Sequence, residues 1–329
     1  MPSLLSNTLS RELVAGVAAG AAGAVLLQAL VARWRAARAA AAAPELSTTS
    51  SAHSGAVYET TKALDEYLLF HYGAPAELLP YARGPAVPLA ALDFAVRTAE
   101  LCAAWQRAGG AASNAAAPAA AADLGAAFDV GCATGRSSFE LTRLGYSAVV
   151  GLDFSHRFVD ACKELTRGAL PFGMQVEGAV AARGEARAPA GSRPEACTFV
   201  QGDACALDVP ALRKLTPGAR GFALVHAANL LCRLPEPRAF LRTLPALLAP
   251  GGLVVFFSPY SWLAQYTPQS KWIGGAAGAR SADVLAAEMQ ALGFERVAQE
   301  DVPFLIREHA RKFQYGVAHA TAWRMKVKA

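Results

Sequence analysis

The chain has 329 residues, 53% hydrophobic and 17% charged, and its 31 Lys+Arg against 26 Asp+Glu leave a net charge of +5. That length suits one large α/β domain or two small ones with ample core, and the apolar and aromatic content excludes a disordered chain. The positive excess is small and forms no dense Lys/Arg block, which sets nucleic acid aside as a partner.

Leu13–Ala32 is a twenty-residue stretch with no charge and one polar residue, Gln28. A helix of roughly that length crosses the hydrocarbon core of a bilayer. Two readings stay open: a membrane anchor or a cleaved targeting segment. With Arg33, Arg35 and Arg38 after it and only Arg11 before it, an anchor leaves the rest of the chain on the cytoplasmic face. As a leader, it is rich in Ala and Arg and its only acid before Glu45 is Glu12. The expected division is a leader over 1–12, an apolar helix over 13–34, a flexible linker over 35–56 and a catalytic domain over 57–329.

Beyond residue 57 short apolar runs alternate with amphipathic stretches. Thr60–His71 places Leu64, Tyr67, Leu68 and His71 on one stripe of a helix. Ala126–Val130 predicts a first buried strand, Ser137–Leu144 a helix, Ala148–Leu152 a second strand and His156–Thr166 the next helix. Cys197–Gln201 and Phe222–Ala227 predict the third and fourth strands. Pro237–Leu248 predicts a helix stopped by Pro250-Gly251-Gly252, and Leu253–Ser258 a fifth strand. About 296–304 and Tyr315–Met325 complete the series. The Ala-rich 108–123 and the Arg/Pro/Gly-rich 180–195 read as surface insertions. Strands alternating with helices in this way imply right-handed βαβ units and a parallel sheet covered on both faces.

The six cysteines, Cys102, Cys132, Cys162, Cys197, Cys205 and Cys232, show neither a CxxC pair nor zinc-like spacing with His, so they read as reduced structural thiols and no metal is expected. The most informative stretch is Phe128-Asp129-Val130-Gly131-Cys132-Ala133-Thr134-Gly135-Arg136. It follows a strand and opens a helix, where glycine lets the backbone turn tightly and approach a ligand. Its GxxxG spacing differs from the GxGxxG of dinucleotide sites and argues against hydride transfer. Asp153, at the end of the second strand, suits the two hydroxyls of a ribose, and Asp203, after the third strand, can accept from an adenine amine.

This ordered set, DxGxxTG and then an acid after each of the next two strands, resembles the class I S-adenosylmethionine-dependent methyltransferases. The resemblance implies a Rossmann-like α/β fold with a seven-stranded, mostly parallel sheet and helices on both faces, here preceded by the apolar helix. It implies S-adenosyl-L-methionine as cofactor, held by Asp129, Gly131, Cys132, Gly135, Asp153, Phe154, Asp203, Ala204 and Asn229. Cys132 reads as a turn residue with no chemistry of its own.

Other blocks are more particular. They are Tyr58-Glu59-Thr60, Glu66–Gly73, Gly135–Glu140, Asp153–Phe158, Ala228–Pro235, Ser258–Trp262 and Pro303–Gln314. Together they resemble the 4-mercaptohistidine N1-methyltransferase family, which includes the C-terminal domain of the ovothiol biosynthesis enzyme. The resemblance spans about 57–324. It implies methyl transfer to a ring nitrogen of 5-thiohistidine, with a separate sulfoxide synthase acting upstream.

In a doubly wound sheet, ligands bind outside the carboxyl ends of the strands. Tyr67, His71, Arg233, Tyr260, Trp262, Lys271 and Arg307 are the expected substrate-binding residues. Arg233, Lys271 or Arg307 would hold a carboxylate or thiolate, and Glu308 or His309, in a turn after the sixth strand, would take the ring proton. Each has a plainer reading. Tyr67 and His71 fit the helix's apolar stripe, His226 and His319 lie in buried strands as structural histidines, Trp262 and Trp272 suit packing, and Arg307–His309 suits a solvated charged turn. A methyltransferase acting on a lipid or quinone at a membrane is the enzymatic alternative, and a non-catalytic member of the cofactor fold is a third reading. The four residues Gly131, Gly135, Asp153 and Asp203 weigh against that third reading.

Overall fold

The computed structural model describes residues 56–82, 88–110, 123–216, 218 and 220–326. The chain divides into two units, residues 1–49 and 50–329. The first, with the apolar segment 13–32, lies outside the described residues. Among the described residues no helix is long and apolar enough to cross a membrane.

In chain order the elements are α1 (Thr61–Tyr72), α2 (Pro75–Leu78), α3 (Phe94–Gly110), β1 (Ala126–Val130), α4 (Arg136–Arg143), β2 (Ala148–Asp153), α5 (His156–Leu165), β3 (Leu170–Glu177) and β4 (Val180–Ala186). They continue with β5 (Cys197–Gln201), α6 (Val209–Lys214), β6 (Phe222–Ala228), α7 (Pro237–Leu247), β7 (Leu248–Ser258), α8 (Ser281–Ala291), β8 (Phe294–His309) and β9 (Lys312–Met325). Local chemistry sets several helix starts. Ser155 caps α5 by accepting the Phe158 N–H, Asp208 caps α6 by accepting that of Ala211, and Thr60 caps α1 by accepting that of Ala63.

Seven strands form one sheet in the order β5-β2-β1-β6-β7-β9-β8, with β9 antiparallel to both β7 and β8 and the other pairs parallel. The order in which successive strands are laid down reverses between the parallel neighbours β1 and β6, the switch point at which such sheets open a crevice. Because the central strands are covered on both sides, neighbouring residues serve different cores. Phe128, Val130, Val225 and Phe256 pack with Phe240, Leu241 and Leu244 of α7. Ala127, Leu224, Val255 and Phe257 pack with Phe94, Ala99 and Cys102 of α3 and Leu141 of α4. A third cluster joins Leu68 and Leu69 of α1 to Val159 of α5 and Phe172 of β3.

The structure adds elements to the expected series and changes the bounds of others. Phe94–Gly110 is a helix, and 170–186 forms an antiparallel hairpin, β3–β4, where an irregular insertion was expected over its second half. β7 begins at Leu248, so Pro250-Gly251-Gly252 lies within it, and its pairing with β6 shifts register between Phe222 and Leu224. Arg307, Glu308 and His309 belong to strand β8, which runs on to pair His309 with Lys312 of β9; they form no turn after a shorter strand.

Candidate active site

A cleft with about 1190 Å³ of empty space, counted to its open mouth, lies at the carboxyl ends of β1, β2, β5 and β6. Its floor is the turn after β1. Gly131, Ala133 and Gly135 take φ of 72°, 46° and 81°, the left-handed region that glycine adopts without penalty and alanine does not. The turn is held by the Gly131 and Cys132 N–H groups, which both donate to Leu152 O, at 2.7 and 3.1 Å. A Cβ on Gly131 would stand 2.9 Å from Leu230, another residue of the cleft wall. Gly135 has a different task from close approach to a ligand. A Cβ there would stand 2.9 Å from Cys162 Sγ and 3.1 Å from the Phe199 ring, so its small size serves packing behind the turn.

Asp153 is tied to the turn on one side and to α5 on the other. Its Oδ2 accepts the Ala133 N–H and its Oδ1 the Ser155 N–H, both at 2.9 Å. Burial raises its carboxyl to about 6, although those two N–H groups pull it down. Asp203 Oδ1 accepts the Cys205 N–H at 2.8 Å, and the Gly202 N–H donates to Asp153 O, which links the two acid-bearing loops. Leu152, Phe154 and Ala204 supply apolar wall beside these acids.

Helix α1 closes the other side. The Tyr72 hydroxyl donates to Thr134 O at 2.7 Å, Thr134 Oγ1 lies 2.8 Å from His71 Nδ1, and Arg136 Nη1 donates to His71 O. These bonds fasten the helix C-terminus to the glycine turn. Burial, with the Arg136 charge, lowers His71 to about 3 and keeps it neutral. Tyr58, just before α1, lies 6.1 Å from Tyr67 and 6.3 Å from Tyr266 by ring centroids, and Phe158 of α5 lies 4.9 Å from Tyr67. Burial pushes Tyr67 up to about 12 and Tyr58 further in the same direction. Arg233 stands over Tyr266, 4.9 Å from its ring centroid, and its Nη1 donates to Ser261 O at 2.7 Å. The Tyr58 segment is pinned in turn: Ser155 Oγ donates to Tyr58 O, and Glu59 accepts the His156 N–H at the start of α5.

Of the residues expected to hold cofactor, Asp129, Gly131, Cys132, Asp153, Phe154, Asp203, Ala204 and Asn229 line this cleft, and Gly135 does not. Of those expected at the substrate, Tyr67, His71 and Arg233 line it. The others sit elsewhere, engaged with partners of their own. The Tyr260 hydroxyl bonds His319 Nδ1 at 3.0 Å. Trp262 is 9% exposed, donates to Ser281 Oγ and stacks on Trp272. Lys271 is paired with Glu236. The buried Arg307 guanidinium donates to the backbone carbonyls of Glu77 and Gln175, clamping α2 to β3. Glu308 is taken by Lys312 and Gln314, and His309 Nδ1 accepts the Arg311 N–H, within the β8–β9 hairpin. Arg307 and Glu308 line a separate groove shared with α1 and the β3–β4 hairpin.

Two cleft residues have more chemistry than the sequence reading gave them. His226, read as structural, presents an imidazole to the cleft, and Tyr58 completes the aromatic wall. Asn229, at φ 52°, lines the cleft, and its buried Oδ1, like His226 Nε2, has no hydrogen-bond partner among the described residues. Buried polar atoms left in this state are what a bound molecule satisfies. Paired acids at successive strand ends with an apolar wall between them fit an adenosyl group, and the two open atoms face the same cleft.

Comparison with curated proteins finds no match. Among solved structures, the chain is similar to the [4+2]-cyclase SpnF, at 17% identity over 85% of this chain and 97% of that one, with a TM-score of 0.48. It is similar to magnesium protoporphyrin IX methyltransferase (ChlM) from Synechocystis PCC 6803 with bound SAM, at 14% identity over 81% and 98%, TM-score 0.42. It is also similar to the glycopeptide N-methyltransferase MtfA complexed with (S)-adenosyl-L-methionine, at 16% identity over 68% and 94%, TM-score 0.37. A family model described as a methyltransferase domain matches residues 99–299, more than half of the chain. That span takes in β1 with its glycine turn, both acid-bearing strand ends and the switch point. The chain therefore belongs to the methyltransferase domain family and is an S-adenosylmethionine-dependent methyltransferase of class I α/β fold.

Proposed function

We propose that this enzyme methylates a ring nitrogen of 5-thiohistidine, the last step of ovothiol biosynthesis. The observation that carries the reading is the mixed character of the cleft opposite the glycine turn. An aromatic wall of Tyr58, Tyr67, Phe158 and Tyr266 suits a flat ring, while Arg233 at its edge and the open Asn229 Oδ1 suit the carboxylate and ammonium of an amino acid. The resemblance blocks that carry Tyr58, Tyr67, His71 and Arg233 are those that meet at this wall. A long lipid or quinone tail would call for a continuous apolar channel, and these charged and polar groups argue against one.

In this reading Asp153 takes the ribose hydroxyls and Asp203 the adenine amine, and Gly131 brings backbone close to the donor. Bound there, S-adenosylmethionine supplies an electrophilic methyl group on a sulfonium. The residues of the cleft exclude water and hold the acceptor nitrogen in line with that methyl group. Thiohistidine's sulfur is the stronger nucleophile, so the pocket must turn the sulfur away from the methyl group, and geometry sets the product. A separate sulfoxide synthase supplies the acceptor, and the run 13–32, from its length and flanking arginines, anchors the domain on the cytoplasmic face of a membrane.

The test is to incubate the full chain and S-adenosylmethionine with 5-thiohistidine, histidine and a short-chain quinone, and to identify products by mass spectrometry. N-methylated thiohistidine is expected. Transfer only to the quinone, or methylation on sulfur, contradicts the reading.

A further inference from the structure

Asp129 and His226 lie on adjacent parallel strands in direct register, so their side chains leave the sheet on the same face. His226 Nδ1 is 2.7 Å from Asp129 Oδ1, and Asp129 Oδ2 accepts the Ser138 hydroxyl at 2.6 Å. Asp129 and His226 are each 1% exposed. A carboxylate only accepts, so a neutral ring facing it carries its proton on Nδ1 and leaves the Nε2 lone pair open. That Nε2 is buried, has no partner among the described residues, and belongs to a side chain lining the cleft. His71, the other imidazole of the cleft, has its Nδ1 engaged by Thr134. A base oriented by a buried acid and open toward a cleft is the arrangement used to move a proton in acyl-transfer triads.

We propose that His226 Nε2 is the proton acceptor of the methyl transfer and that Asp129 is its positioning residue; the choice of acceptor rests on the thiohistidine reading above. One ring nitrogen's lone pair forms the new N–C bond while the methyl–sulfur pair stays on sulfur. The N–H proton that would leave the methylated ring cationic passes to His226 Nε2, and the Asp129 carboxylate balances the imidazolium charge. The same hydrogen bond, made before transfer, orients the ring through its N–H and selects nitrogen over sulfur.

Two experiments on the full chain test this. Long-range ¹H–¹⁵N spectra of [¹⁵N]histidine-labelled protein with S-adenosylhomocysteine should place the His226 proton on Nδ1, and Asp129→Asn should change that tautomer. A proton on Nε2 in the native protein overturns the proposal whatever the acceptor is. In His226→Gln, methyl transfer to 5-thiohistidine should fall about 10²- to 10⁴-fold, the range for a lost general base, while calorimetric affinity for S-adenosylhomocysteine stays within about threefold. Turnover within about threefold of the native enzyme, or a loss of affinity that matches the loss of turnover, overturns it. A native enzyme that leaves 5-thiohistidine unmethylated counts against the acceptor reading alone, and the tautomer then decides on His226.

Discussion

The Asp153 carboxylate accepts the backbone N–H of Ala133 at 2.9 Å, so the acid at the end of β2 is bonded to the left-handed centre of the turn after β1. A molecule held by this carboxylate would therefore be held by a group already bonded to the turn.

Asp153 titrates near 6, so cofactor affinity should depend on pH in a defined direction. The ionised carboxylate accepts hydroxyl donors, and protonation removes an acceptor. Binding of S-adenosylhomocysteine should be flat above about pH 7 and weaken, by up to about tenfold per unit, as pH falls below 6. Asp153→Asn should weaken binding about 10- to 100-fold, as for a hydrogen bond to a charged group, and flatten the profile. Calorimetry between pH 5 and 8 reads both effects; a native affinity constant over that range contradicts this role.

The two glycines of the turn should separate by what their alanine variants lose. Both have positive φ, which costs an alanine about 1–2 kcal/mol. In Gly131→Ala the new methyl group pushes on Leu230 of the cleft wall, so cofactor affinity should fall along with stability. In Gly135→Ala it pushes on buried Cys162 and Phe199, so stability should fall further while affinity, measured below the melting transition, holds. Thermal melts paired with calorimetry distinguish the two, and equal losses of affinity would contradict the assignment.

His71 should make folding sensitive to acid. Its folded value, about 3, lies below the 6.5 of an ordinary histidine, so the unfolded chain binds the proton first. The contribution is complete above pH 6.5 and is lost as pH falls toward 3. Asp153, raised from 3.8 to about 6, acts with the opposite sign between those values. Comparing the native chain with His71→Gln by urea unfolding cancels the Asp153 effect. The stability difference should shrink by about 2 kcal/mol at most from pH 7.5 to pH 5, taking ~1.4 kcal/mol per unit over ~1.5 units. A difference independent of pH would show that His71 is not held neutral.

The strands that carry the cofactor side of the site are legible because each is a short buried run ended by its own turn residues. β1 and β5 have the bounds expected from sequence, and Asp153 and Asp203 are placed by position at a strand end alone. Helix α3 is hard to see because its buried stripe, Ala95, Ala99, Cys102 and Ala103, is small-residue on an alanine-rich background. The hairpin escapes because β4 is largely exposed and lacks an apolar alternation. The acceptor side is less legible, since adjacent charges such as Arg307-Glu308 look available until their distant partners are known. Arg307 is taken by Glu77 and Gln175, and Trp262 by Ser281. The pairing of His226 with Asp129 spans 97 residues and depends on strand register, which no local pattern encodes.

Titrating the full chain with S-adenosylmethionine and, separately, with a nicotinamide dinucleotide tests most directly whether the turn after β1 grips a methyl donor. A saturable single-site isotherm with S-adenosylmethionine, weakened in Gly131→Ala and Asp153→Asn, and no heat with the dinucleotide are expected. Saturable binding of the dinucleotide with no response to S-adenosylmethionine would contradict it.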